Sequence, residues 1–77
     1  MKVKDILPLK HEVESEFKNV QLLENLFKNN PELAEEIADK ADCNYPLGKL
    51  MTEVRMRLYD VLKDIETKIE NAEIQKN

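Results

Sequence analysis

Apolar residues return every three or four positions along two long stretches of this chain, and that spacing commits it to helices. Over the first stretch, from about residue 6 to 29, Val13, Phe17, Val20, Leu23 and Phe27 mark one face of a 3.6-residue turn. Leu9 extends that face backwards, and Leu22 and Leu26 widen it. Over the other, from about 46 to 74, Leu47, Met51, Val54, Leu58, Val61 and Ile65 follow alternating steps of four and three. Lys68 interrupts this seam and Ala72 resumes it, while Ile69 offers an alternative stripe beside it.

Two prolines punctuate the chain between those stretches. In Asn29-Asn30-Pro31, Pro31 disfavours helical geometry at Asn30 and suits the first position of a new helix. Asn30 is then placed to cap that helix, with Glu32 near the positive end of its dipole. The new helix is short, about residues 31–41, with Leu33, Ala34, Ile37, Ala38 and Ala41 on its apolar side. Asp42-Cys43-Asn44-Tyr45-Pro46 forms the second break, where Tyr45 or Asn44 is placed to cap a helix beginning at Pro46. At the N-terminus Asp5 reads as a cap, with Pro8 still inside the first turn. Glu14–Lys18, Glu24–Lys28, Glu53–Arg57 and Asp64–Lys68 are i,i+4 pairs that support the helices from outside.

With one Gly and three Pro in 77 residues, hairpin chemistry is scarce, and the reading is all-α. The expected architecture is a single domain over residues 1–77: a long helix, a short bridging helix and a long C-terminal helix, packed as a hairpin or small bundle, with residues 75–77 frayed. Phe17, Val20, Phe27, Leu33, Ile37, Val54, Leu58, Val61 and Ile65 are the expected core.

A chain this short buries only about 60% of its unfolded surface, so its core is marginal. Small domains often add disulfides, a metal or a partner. Cys43 is the only cysteine, so no disulfide forms within one chain, and a lone thiol suits a reducing, cytoplasmic compartment. No apolar run approaches the roughly 18 residues of a membrane span. The opening MKVKDILPLK is too short in apolar residues for a signal peptide. A soluble, cytoplasmic protein without membrane contact is expected.

No residue set supports catalysis, a metal or a cofactor, so no enzyme is expected. His11-Glu12 begins like a zinc-protease motif, but Ser15 stands where the second histidine belongs. Glu12 and Glu16 share a helix face as like charges, and Glu14 points elsewhere, which describes a solvated face. Asp42 beside Cys43 opposes thiolate formation, so Cys43 reads as a half-buried loop cysteine.

Charge argues against nucleic acid as a partner. Glu32, Glu35, Glu36, Asp39 and Asp42 against Lys40 account for the whole net charge of −4. The chain lacks the basic field that draws proteins to phosphates. Residues 31–54 allow a helix-turn-helix reading with Lys49, Arg55 and Arg57 on the recognition helix, though its first helix is acidic and its turn lacks the usual Gly. The five acidic residues also allow a third reading, a phosphate mimic that blocks a nucleic-acid-binding protein.

The leading reading is a protein–protein interaction module. The third helix, about 43 Å long, is longer than the first, about 36 Å, and with the short second helix bridging one end, its last two turns are not obviously covered. Met56, Tyr59 and Ile74 lie off its main seam, and with Leu62 and Ile69 they widen its apolar surface. The expected partner-binding residues are therefore Leu58, Tyr59, Leu62, Ile65 and Ile69, with a homodimer as the simplest partnership. The Lys/Asn/Glu/Ile-rich composition resembles that of small accessory or regulatory proteins of AT-rich bacteria or their phages, which assigns no residue a role.

Overall fold

The computed structural model describes residues 2–75, with side chains described as far as residue 72. The expected frayed tail falls almost wholly outside that range, and so does the side chain of Ile74; Gln75 is the last residue of a helix. Three helices follow in order: α1 (Val3–Asn29), α2 (Pro31–Lys40) and α3 (Leu47–Gln75). Among the described residues there is no strand, and no helix is long and apolar enough to cross a membrane. The fold is all-α: α1 and α3 form an antiparallel hairpin, and α2 bridges its closed end.

The register of the hairpin is fixed by contacts along its length. Glu24 meets Thr52, Lys28 passes Gly48, and the ring of Phe17 lies 6.5 Å from that of Tyr59. Gly48, the chain's one glycine, therefore serves an interhelix contact rather than a turn: a Cβ there would stand 3.1 Å from Lys28 Cγ.

The seams that face inward differ from those the spacing suggested. On α1 the residues that are not exposed are Val3, Ile6, Lys10, Val13, Phe17, Val20, Glu24 and Phe27, a strict alternation of three and four, with Glu14 half-buried beside Val13. Leu9 and Leu23, expected on this face, are exposed, and Glu24 takes the position given to Leu23. On α3 the inward line runs through Met51, Arg55, Leu58, Leu62, Ile65, Ile69 and Ala72. It abandons Val61 and Lys68 for the neighbouring stripe. The reason is polar: the line through Val61 leads to Lys68, and the line through Leu62 leads to Ile69.

Length matters as well. Beginning at Val3 rather than near residue 6, α1 spans 27 residues against 29 in α3. At 1.5 Å per residue both are about 40 Å long, so α1 covers α3 nearly to its end. The expected two uncovered turns are not there, and Ile6 is among the most buried residues of the chain. Lys2 occupies the N-cap position and Asp5 sits inside the first turn, with its amide 2.9 Å from the Lys2 carbonyl.

On α2 it is the small side chains, Ala34 and Ala38, that are buried, while Leu33 and Ile37, expected in the core, are exposed. Alanine lets the short helix approach the hairpin closely, and two other helices cannot enclose the larger residues beside it. Asn30 does not cap α2 through its side chain; its Nδ2 donates to the Leu26 carbonyl at 2.8 Å and closes the end of α1 instead.

The turn after α2 is a Schellman motif. The Cys43 amide donates to Ala38 O at 2.8 Å and the Asp42 amide to Asp39 O at 3.2 Å. Asp42 holds the left-handed position with φ 53°, which an aspartate tolerates and a glycine prefers. Asp42→Gly is expected to raise stability by about 0.5–1 kcal/mol, because the left-handed region carries a steric penalty for any Cβ. Urea unfolding measures this, and a destabilised variant would show that the Asp42 carboxylate has a role the turn does not explain.

Candidate functional site

Two features stand out: a buried polar cluster inside the hairpin, and an apolar flank along one side of it.

The cluster centres on Glu24. Its side chain is only 7% exposed, although it faces α3 from the middle of an otherwise apolar line. Arg55 Nε donates to Glu24 Oε1 at 2.6 Å and its Nη2 to Oε2 at 3.4 Å, so the guanidinium meets both carboxylate oxygens. Lys28 Nζ donates to Oε2 at 3.2 Å, and the Thr52 hydroxyl meets the same oxygen. These donors hold the Glu24 carboxyl well below its ordinary 4.5, at about 2, with the Arg55 hydrogen bond the largest cause and burial opposing it. No buried side-chain polar atom among the described residues lacks a partner.

From the sequence, Glu24–Lys28 reads as an external pair. Part of the signal lies in the strict heptad: traced without deviation it puts Glu24 on the α1 seam, whereas on α3 equal spacing runs through Val54 as well as through Arg55, so the arginine is not singled out. A buried pair of this kind contributes little beyond what two apolar residues would, but removing one partner leaves an uncompensated buried charge. Sliding one helix by a heptad would set the carboxylate against Tyr59 and Leu62 and strand Arg55. The pair also bears on the helix-turn-helix reading, since Arg55 is tied to Glu24 and only Lys49 and Arg57 of that basic set are exposed.

The expected partner residues divide. Ile65 is 6% exposed, Leu58, Leu62 and Ile69 are half-buried on the line facing α1, and Tyr59 alone is open. Tyr59 sits beside Phe17 with Lys63 Nζ 5.3 Å from its ring centre. The structure thus brings four of the five together on the inner face of the hairpin. Their apolar surplus is spent against α1.

What stays outside is a different set. Leu22 is 67% exposed, and Leu9, Leu23, Leu26, Met56 and Val61 are also open. Most of these share a side. Antiparallel helices are related by a two-fold axis normal to the plane of the pair, so equivalent heptad positions emerge on the same flank. The positions just before each seam residue at Lys10, Phe17 and Glu24 are Leu9, Glu16 and Leu23; on α3 the equivalent ones are Leu47, Val54, Val61 and Lys68. Leu26 lies beside Leu23, one turn on. The opposite flank carries Glu14, Gln21, Lys28, Thr52 and Glu66, with Leu7 and Tyr59 as its exceptions.

The acidic residues Glu32, Glu35, Glu36, Asp39 and Asp42 are all exposed on and after α2, and Glu36 pairs with Lys40 at 3.5 Å. Glu35 and Asp39 border an open groove of about 500 Å³ between α2 and the loop, which Phe27, Cys43 and Lys49 also line. The loop is pinned to α3 by the Tyr45 hydroxyl, which donates to Glu53 Oε1 at 2.6 Å; that bond raises the Tyr45 pKa above 10.0. Glu53 is therefore engaged by Tyr45, not by Arg57 as its spacing suggested. Exposed His11 lies on α1 opposite the C-terminal half of α3, whereas Cys43 is at the other end of the hairpin. Among the described residues, no three histidine, cysteine or acidic side chains are grouped to hold a metal ion.

No family model, no curated protein and no solved structure matches this chain. Its class is given by its own geometry: a helical hairpin with a short bridging helix.

Proposed function

We propose that this chain is a non-enzymatic protein–protein interaction module, a small accessory or regulatory protein of the cytoplasm that works by presenting one face of its hairpin to another polypeptide. The observation that carries this reading is the asymmetry of the hairpin: one flank exposes Leu9, Leu23, Leu26 and Val61, and the other is mostly charged or polar. Exposed apolar residues gathered on one side of a small domain mark a docking surface, whereas scattered ones carry no meaning.

The test separates a docking face from an internal one. Lysine at Leu23 and Leu26 together is expected to leave the helical content and the melting temperature of the dilute chain within a few degrees, since exposed substitutions change stability by about 0.5 kcal/mol or less. A large loss of stability in the dilute variant would mean that the two leucines serve the fold itself, and the reading would lose its support.

A further inference from the structure

We infer that the apolar flank of Leu9, Leu23, Leu26 and Val61 pairs with the same flank of a second copy of this chain, so that two hairpins form a four-helix bundle. This rests on the interaction reading above and names its partner.

Area is the first argument. The chain exposes 6032 Å², whereas a compact monomer of 9.0 kDa exposes about 4,900 Å² by the usual scaling of surface with mass. The excess, about 1,100 Å², is of the size one partner contributes to a standard interface, about 800 Å². Shape gives the same result: the molecule measures 55 × 20 × 15 Å, with a radius of gyration of 16.6 Å where a compact domain of this length has about 11–12 Å. A second hairpin laid alongside doubles a short dimension and leaves the long one unchanged.

The core supplies the second argument. Among the described residues only Ile6, Ala34, Ala38 and Ile65 are buried apolar side chains, and no large side chain is fully enclosed. Two helices in contact have one shared seam, and residues flanking the seam remain half-open until further helices cover them. A second hairpin covers Val54 and Val61 from outside at no cost in new sequence, because one patch serves both sides of a two-fold interface.

Charge agrees with a self-pairing. On the two heptad lines that bound this flank, the charged residues are Lys2, Glu16 and Lys68, with both signs present. Two copies therefore meet across a surface of little net charge, and the acidic excess stays on and after α2. The flank has no bias of charge that would select a strongly basic or acidic partner instead.

Sedimentation equilibrium on the full chain across micromolar concentrations tests the inference, followed by NMR spectra on dilution. The expected result is a mass twice 9.0 kDa that falls to the single-chain value on dilution. Resonances of Leu9, Leu23, Leu26 and Val61 should move as it does, and those of Leu7 on the opposite flank should not. Val61→Glu should shift the equilibrium to monomer by at least tenfold in dissociation constant; because the dilution shifts are read on the unaltered chain, they locate the interface even if that variant fails to fold. A single-chain mass at every concentration overturns the self-pairing, and so does a dimer whose shifts fall on the polar flank. A monomer whose Leu23 and Leu26 lysine variant keeps its melting temperature sinks only the choice of partner, whereas a monomer destabilised by those lysines sinks the interaction reading with it.

Discussion

Arg55→Leu is expected to lower the melting temperature by roughly 10 °C, because it removes the guanidinium, itself 29% exposed, from a carboxylate that is only 7% exposed. Glu24 would then keep Thr52 and Lys28 but lose the guanidinium that spans both its oxygens. Adding Glu24→Leu to Arg55→Leu should recover most of that loss, because two apolar residues on facing seams carry no desolvation penalty. The cost of the double change should appear as lost specification of register, visible as broadened NMR lines. Acid reaches the same group without mutation. The folded Glu24 carboxyl titrates at about 2 against 4.5 ordinarily, so its contribution is complete above about 4.5 and is lost as pH falls toward 2. Circular-dichroism melts of the three proteins from neutral pH into that acid range decide the matter. A single variant that melts like the wild type would place the pair outside the energetics of the fold.

Ile65→Ala is the second large effect, at about 2–5 kcal/mol. Ile65 is the buried residue of the α3 seam, and its removal leaves a hole that a thin hairpin has few side chains to fill. A domain of 77 residues has a total stability of roughly 4–12 kcal/mol, so the loss is a large fraction of the whole and the variant should melt well below the wild type. Leu33→Ala, on a residue whose spacing also suggested the core, should cost well under half as much because Leu33 is exposed. Equal losses for the two in urea unfolding would show that α2 covers more of the hairpin than this packing allows.

The contrast between those two residues locates where sequence reasoning stops. Helix existence is local: the breaks at Pro31 and Pro46 and the three- and four-residue spacing place α1, α2 and α3 within about three residues of where they lie. The all-α class and the antiparallel long helices joined by a short one follow from that alone. Which stripe turns inward is not local. Leu23 and Glu24 are neighbours on α1, as are Val61 and Leu62 on α3, and each helix by itself accommodates either choice.

Only the pairing of α1 with α3 decides it, through contacts spanning about thirty residues such as Thr52 with Glu24 and Arg55 with Glu24. A glutamate is expensive on an inner seam unless an arginine stands opposite, and no property of Glu24's own neighbourhood reveals that one does. The same holds for the outer surface. Leu58, Leu62, Ile65 and Ile69 read as surplus in isolation because α3 has two apolar stripes, and the structure consumes one of them against α1. The flank left over, with Leu9, Leu23, Leu26 and Val61, is defined by subtraction once the register is known. Periodicity is a property of each helix and is written in its residues; the choice between overlapping stripes belongs to the pair, because it depends on which side chains the other helix brings to the same level.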